Sequence, residues 1–79
     1  MIMQKKQERL RQATVLIIRR GNEYLIARIF GSRDLRWGIS PYDAWSTRRP
    51  ADAKKVQAKT GGEIMLFNPV TGTMREARV

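Results

Sequence analysis

The sequence contains no cysteine and no histidine. The first absence excludes disulfides, zinc–thiolate sites and thiol chemistry. The second removes the commonest general base and the commonest metal ligand. Long apolar runs are missing too. No uninterrupted run exceeds four residues, far short of the roughly 20 that a membrane-spanning helix needs. The first twelve residues, MIMQKKQERLRQ, lack the apolar stretch of a secretory signal. Cytoplasmic residence, with no membrane partner, is the expectation.

Acidic residues are scarce, with seven carboxylates against sixteen Lys and Arg. The seven are Glu8, Glu23, Asp34, Asp43, Asp52, Glu63 and Glu76, and no two share a local motif. General acid–base or metal chemistry needs two or three such groups to converge. Ser40, Ser46, Thr47 and Thr71 have no histidine to activate them. The glycines form no phosphate-loop pattern and read as turns and a helix stop. The expectation is a protein that is not an enzyme and takes no cofactor and no metal.

What is present is positive charge, in a chain of 79 residues with net charge +9. That length makes one small domain, burying about 60–65% of its unfolded surface around a thin core. Eleven of the sixteen cations are Arg. The planar guanidinium fork favours bidentate contact with phosphate or carboxylate. Such a balance points to nucleic acid or an acidic protein as partner.

Residues 13–30, ATVLIIRRGNEYLIARIF, organise the rest. Two segments rich in β-branched and aromatic residues flank Gly21-Asn22. A two-residue Gly-Asn connection fits a type I′ or II′ hairpin turn. The register then sets Arg20 opposite Glu23, Arg19 opposite Tyr24, Ile18 opposite Leu25, and so on to Val15 opposite Arg28. Opposed residues share a face. One face carries Leu16, Ile18, Leu25, Ala27 and Ile29 and reads as core. The other carries Val15, Ile17, Arg19, Tyr24, Ile26, Arg28 and Phe30. Aromatics for base stacking beside arginines for phosphate make that face a candidate single-strand binding surface. The alternative is that its aliphatics pack under a loop or a second chain.

Residues 1–12 read as a basic N-terminal arm and 13–79 as a single domain. Gly31 to Asp34 is a turn signal, and Leu35, Trp37 and Ile39 alternate as in a third strand. Gly38 suggests a bulge or a close backbone approach. A second turn lies at Ser40-Pro41, and residues 44–46 read as a short extended piece. Residues 47–60 hold the main helix, centred on 50–60. Pro50 suits its first turn, Thr47 or Arg49 lies near its cap, and Gly61-Gly62 stops it. Residues 63–67, EIMLF, read as a fourth strand. The Asn-Pro-Val-Thr-Gly turn follows, with residues 73–79 returning as an edge strand or frayed tail. The predicted class is α+β: an antiparallel sheet of three to five strands with one main helix, in β-β-β-α-β-β order. Leu16, Ile18, Leu25, Ile29, Val56, Ile64 and Leu66 form the expected core.

A second basic cluster, Arg48, Arg49, Lys54, Lys55 and Lys59, surrounds the helix. Lys55 and Lys59 lie one turn apart on one face. It reads either as a phosphate-backbone surface or as a solvated face with Asp52 paired to Arg48 or Lys55. Trp37, Tyr42 and Trp45 read as core and cap, or as exposed aromatics for stacking or a partner pocket. The candidate nucleic-acid-binding residues are therefore Arg19, Tyr24, Arg28, Phe30, Arg48, Arg49, Lys55 and Lys59.

The pattern AWSTR, then Ala53 and Val56, then Gly61-Gly62, then FNPVTG spans residues 44–72. In that order it resembles short uncharacterised accessory proteins carried by bacterial phages and conjugative elements. The resemblance implies a small α+β accessory protein and carries over no functional residue. Gln57 and Thr60 stand where apolar residues would be expected. Two functions follow. One is a small non-enzymatic module contacting nucleic-acid backbone with little sequence preference. The other, which the resemblance implies, is an accessory protein that binds and modulates an acidic host protein. A continuous basic stripe favours the first, and a flat aromatic patch ringed by arginine the second.

Overall fold

Gly21 has φ +60° and Asn22 keeps a negative φ, so the first turn is of type II′. It joins β1 (Val15–Arg20) to β2 (Glu23–Leu25). The computed structural model describes residues 13–26 and 36–77. The basic arm at 1–12 and the hairpin's far end, with Ala27, Arg28, Ile29 and Phe30, lie outside the described residues. β3 (Trp37–Gly38) follows, then a 3₁₀ turn at Pro41–Asp43. The helix α1 (Pro50–Thr60), β4 (Glu63–Asn68) and β5 (Thr73–Glu76) complete the described chain. The strands form one antiparallel sheet in the order β3-β2-β1-β4-β5. This is the α+β domain that the sequence predicts. No helix among the described residues is long and apolar enough to cross a membrane.

β1 and β4 occupy the centre because both faces of each are apolar. They pair from Val15↔Phe67 to Arg19↔Glu63. Leu16, Ile18 and Ile64 point to the helix side and join Leu25 and Ala53 in one buried cluster. Trp37, Trp45, Val56 and Leu66 pack against it. Ile17, Met65 and Phe67 point to the opposite side and form a second buried cluster, flanked by Val15, Tyr24, Ala44 and Met74. Ile17 is only 1% exposed. The sheet therefore has a core on each face, which 79 residues achieve by folding the 40–47 segment back over the strands.

That segment changes the predicted hairpin register. Arg19↔Tyr24 and Arg20↔Glu23 pair as expected. Beyond them β1 and β2 part company. Leu16 exchanges both backbone hydrogen bonds with Thr47, at 2.7 and 3.0 Å. Leu25 O accepts from Trp45 N at 2.8 Å, and Ile26 bridges Ala44. Segment 44–47 takes the places that Ile26 and Ala27 would have held opposite Ile17 and Leu16. In return Trp45 is seated against the core.

The third strand is also shorter than expected. Only Trp37 and Gly38 pair with β2. The chain bends at Ile39, which is 86% exposed rather than aligned with Trp37. Ser40 and Pro41 impose the bend: Ser40 Oγ accepts from Tyr42 N at 3.3 Å, and proline opens the 3₁₀ turn. Gly38 is a close approach, since a Cβ there would meet Ile26 Cδ1 at 2.5 Å.

The β4–β5 turn is held by Asn68, with Thr71 Oγ1 also bonding Thr73 Oγ1 at 2.8 Å. Asn68 Oδ1 accepts from Val70 N at 2.9 Å and Thr71 N at 3.3 Å, while Asn68 O accepts from Gly72 N. Asn68→Ala leaves these amides to water and frees the turn. We expect a loss of about 1 kcal/mol, read as a fall in melting temperature of roughly 4–8 °C for a domain of this size. An unchanged melting temperature would show that the backbone bond to Gly72 suffices.

Candidate nucleic-acid interface

The helix starts at Pro50, whose missing N–H costs nothing in a first turn. Arg49 is the extended cap residue, and its side chain makes no capping bond. Thr47 Oγ1 instead accepts from Arg49 N at 3.1 Å. The guanidinium of Arg49 is thereby left to solvent. At the other end Gly61 has φ +74°, Gly61 N donates to Gln57 O, and Gln57 Nε2 donates to Gly62 O. Ala53 is the one fully buried helix residue, with Val56 half-buried beside it. Such a narrow contact stripe turns most of the helix outward. Thr47 is bonded to Leu16, and Gly62 lies against the Arg19 carbonyl. The helix thus runs alongside β1 from its Leu16 end to its Arg19 end.

The distribution of charge is one-sided. The described residues carry nine cations and five carboxylates. Residues 48–59 hold five of those cations (Arg48, Arg49, Lys54, Lys55 and Lys59) and one carboxylate, Asp52. Elsewhere Arg19, Arg20, Arg36 and Arg75 balance Glu23, Asp43, Glu63 and Glu76. The whole described excess of +4, nine less five, therefore sits on α1 and its lead-in. All five of these cations are exposed. Among the described residues the one ion pair is Arg19 with Glu63 at 3.5 Å, so Asp52 pairs with neither Arg48 nor Lys55.

The candidate residues on the sheet stand differently. Arg19 is half-buried and held by Glu63, whose side chain is 60% exposed, which makes the pair weak. Tyr24 packs against the cluster of Ile17, Met65 and Phe67. Arg28 and Phe30 lie outside the described residues. Arg48 and Arg49 lie just ahead of α1, and Lys55 and Lys59 lie on it one turn apart. Sheet and helix candidates do not form one surface among the described residues.

Three aromatic arrangements stood outside the candidate set. The Arg20 guanidinium lies 4.0 Å from the centroid of the Trp37 ring, a cation–π contact at the hairpin end. Trp45 lines a cleft with Asp52, Lys55, Val56 and Lys59. Spacings of three, four and seven residues along α1 could have found the helical side of that cleft. Nothing local could have placed Trp45 beside it. At the opposite corner Tyr42 meets Phe67 edge-on at 5.2 Å, and its hydroxyl lies close to Gly72. Tyr42 and Val70 are exposed there.

Among the described residues no three acidic side chains gather as a metal ion would require. No protein-family model, curated protein or solved structure matches the chain. The site accordingly rests on its own residues.

Proposed function

We propose that this protein is a small non-enzymatic module that binds nucleic-acid backbone through α1 and its lead-in, with little sequence preference. The observation that carries this reading is the placement of the charge excess. Five exposed, unpaired cations lie on one helix and the two residues that lead into it, while the remaining described charges cancel. Phosphate contacts position a duplex or strand without reading its sequence. No residue set here matches a base-reading motif.

The test is a titration of labelled single- and double-stranded oligonucleotides at several salt concentrations. Neutralising about four phosphates gives a slope of log affinity against log salt of roughly −3 to −4. Shuffling the oligonucleotide sequence should change affinity little. Unmeasurable binding of both forms at low salt, by a folded sample, would rule the reading out.

A second reading, binding of an acidic host protein by an accessory module, draws on exposed Ile39, Tyr42 and Val70. Tyr42, which reaches Phe67 and Gly72 beside the Val70 turn, is the large exposed ring that suits a protein partner. A pull-down from host lysate with and without nuclease separates the two. Capture that survives nuclease and is lost in Tyr42→Ser favours the second.

A further inference from the structure

We infer that the cleft between Trp45 and α1 is a stacking site for one unpaired base, which makes single-stranded nucleic acid the preferred ligand. This rests on the backbone-binding reading and extends it to a ligand class. The cleft is an open groove of about 300 Å³ lined by Trp45, Asp52, Lys55, Val56 and Lys59. That is the small end of the range for ligand clefts. Trp45 is half-buried: it packs on the core and also faces the cleft. Its backbone is fixed by the bond from Trp45 N to Leu25 O. An aromatic ring held in this way binds a π-face with little ordering cost.

The helix supplies the rest by its periodicity. Asp52, Lys55, Val56 and Lys59 lie on one flank of α1, with Val56 the apolar floor. Lys55 and Lys59 are exposed and unpaired, so both ammonium groups are free for phosphate. Asp52 is the only negative group on this flank and stands at the helix's first turn. A strand laid across the cleft would set its base on Trp45 and its phosphate toward Lys55 and Lys59, away from Asp52. A duplex cannot do this, because its base faces are stacked on one another. The strand must be single or splayed.

Trp37 and Trp45 are the two tryptophans of the chain. Trp37→Phe keeps an apolar ring at position 37 and leaves Trp45 as sole reporter. Oligo-dT should quench Trp45 fluorescence saturably, with the same midpoint as binding measured by anisotropy. A duplex of equal length should bind without quenching. In this background Lys55→Gln with Lys59→Gln should weaken oligo-dT at least tenfold and leave the quenching amplitude at saturation unchanged. Salt-dependent binding of both ligands with no change in Trp45 emission would overturn the stacking site while leaving backbone binding standing. No binding of either ligand by the folded wild type would overturn both. Equal quenching by polyglutamate would overturn the base-stacking assignment and give the cleft to acidic polypeptides.

Discussion

Gly62→Ala is expected to cost the fold about 3 kcal/mol, the largest stability loss of any single methyl added to a described glycine. Two independent penalties meet at this position. Gly62 has φ +87°, where an L side chain is strained. A Cβ there would also stand 2.7 Å from the Arg19 carbonyl oxygen and 3.1 Å from Ile18 Cγ2. The oxygen belongs to the backbone of β1 and cannot swing aside. Arg19 is fixed between Tyr24 on one side and Glu63 on the other. Relief therefore requires the end of the β1–β4 ladder to open, beside the buried Ile18 and Ile64. Gly61 and Gly21 provide controls. Both have positive φ, at +74° and +60°, but open space where a Cβ would go. On substitution by Ala each should lose the conformational penalty alone, about 1 kcal/mol at Gly21 and about 1–2 kcal/mol at Gly61, whose ψ of −168° lies in a region essentially reserved for Gly. A domain of this size has a total stability on the order of 4–12 kcal/mol, so Gly62→Ala removes a large part of it. Urea unfolding of the three variants side by side reads the difference. Equal losses for Gly62→Ala and Gly61→Ala would show that the Arg19 carbonyl yields without cost.

The elements with strong local signals were legible in the sequence. Gly21-Asn22 fixed the hairpin turn, Pro50 and Gly61-Gly62 bracketed the helix, and Asn68 to Gly72 marked the last turn. Leu16, Ile18, Leu25 and Ile64 were readable as core because they follow a period of two. Ile17, Met65 and Phe67 were harder. On one-sided alternation Ile17 belongs to the outer face, yet it is buried. The signal against alternation was the unbroken runs Val-Leu-Ile-Ile and Ile-Met-Leu-Phe, which suit strands covered on both sides. What covers the second side comes from distant chain, in part the 3₁₀ turn that brings Tyr42 onto Phe67. Such contacts have no local signature. The insertion of 44–47 at Leu16 and Leu25 is non-local in the same sense.

The candidate interface divides along the same line. Helical spacing alone predicts that Lys55 and Lys59 share a face and are exposed. Arg48 and Arg49 are exposed because the chain enters the helix extended, with Thr47 rather than an arginine making the capping bond. The balance among the other described charges is a count by position along the chain, which the total charge alone does not show. Trp45 joins the lysines only through the crossing of a strand segment over a helix.

Replacing Arg48, Arg49, Lys55 and Lys59 with Ala should abolish most backbone binding while leaving the fold intact. All four side chains are exposed, and none makes an ion pair or an inter-residue side-chain bond. Ala is also the best helix former, so Lys55→Ala and Lys59→Ala cost α1 little. The four changes lower the net charge from +9 to +5. If each cation neutralises one phosphate, the salt slope should become shallower by about three to four. At about 50 mM salt the same release of counterions corresponds to an affinity loss of roughly 10⁴- to 10⁵-fold. Arg36→Ala with Arg75→Ala is the matched control, since the four described cations outside residues 48–59 are equalled in number by four described carboxylates. It should shift affinity by less than about tenfold and the slope by less than about one. Anisotropy titrations across salt, with circular dichroism to confirm folding, measure all three proteins. Unchanged affinity and slope in the fourfold variant would move binding to other cations, such as Lys5, Lys6, Arg9 and Arg11 near the N-terminus, and would sink the assignment to α1.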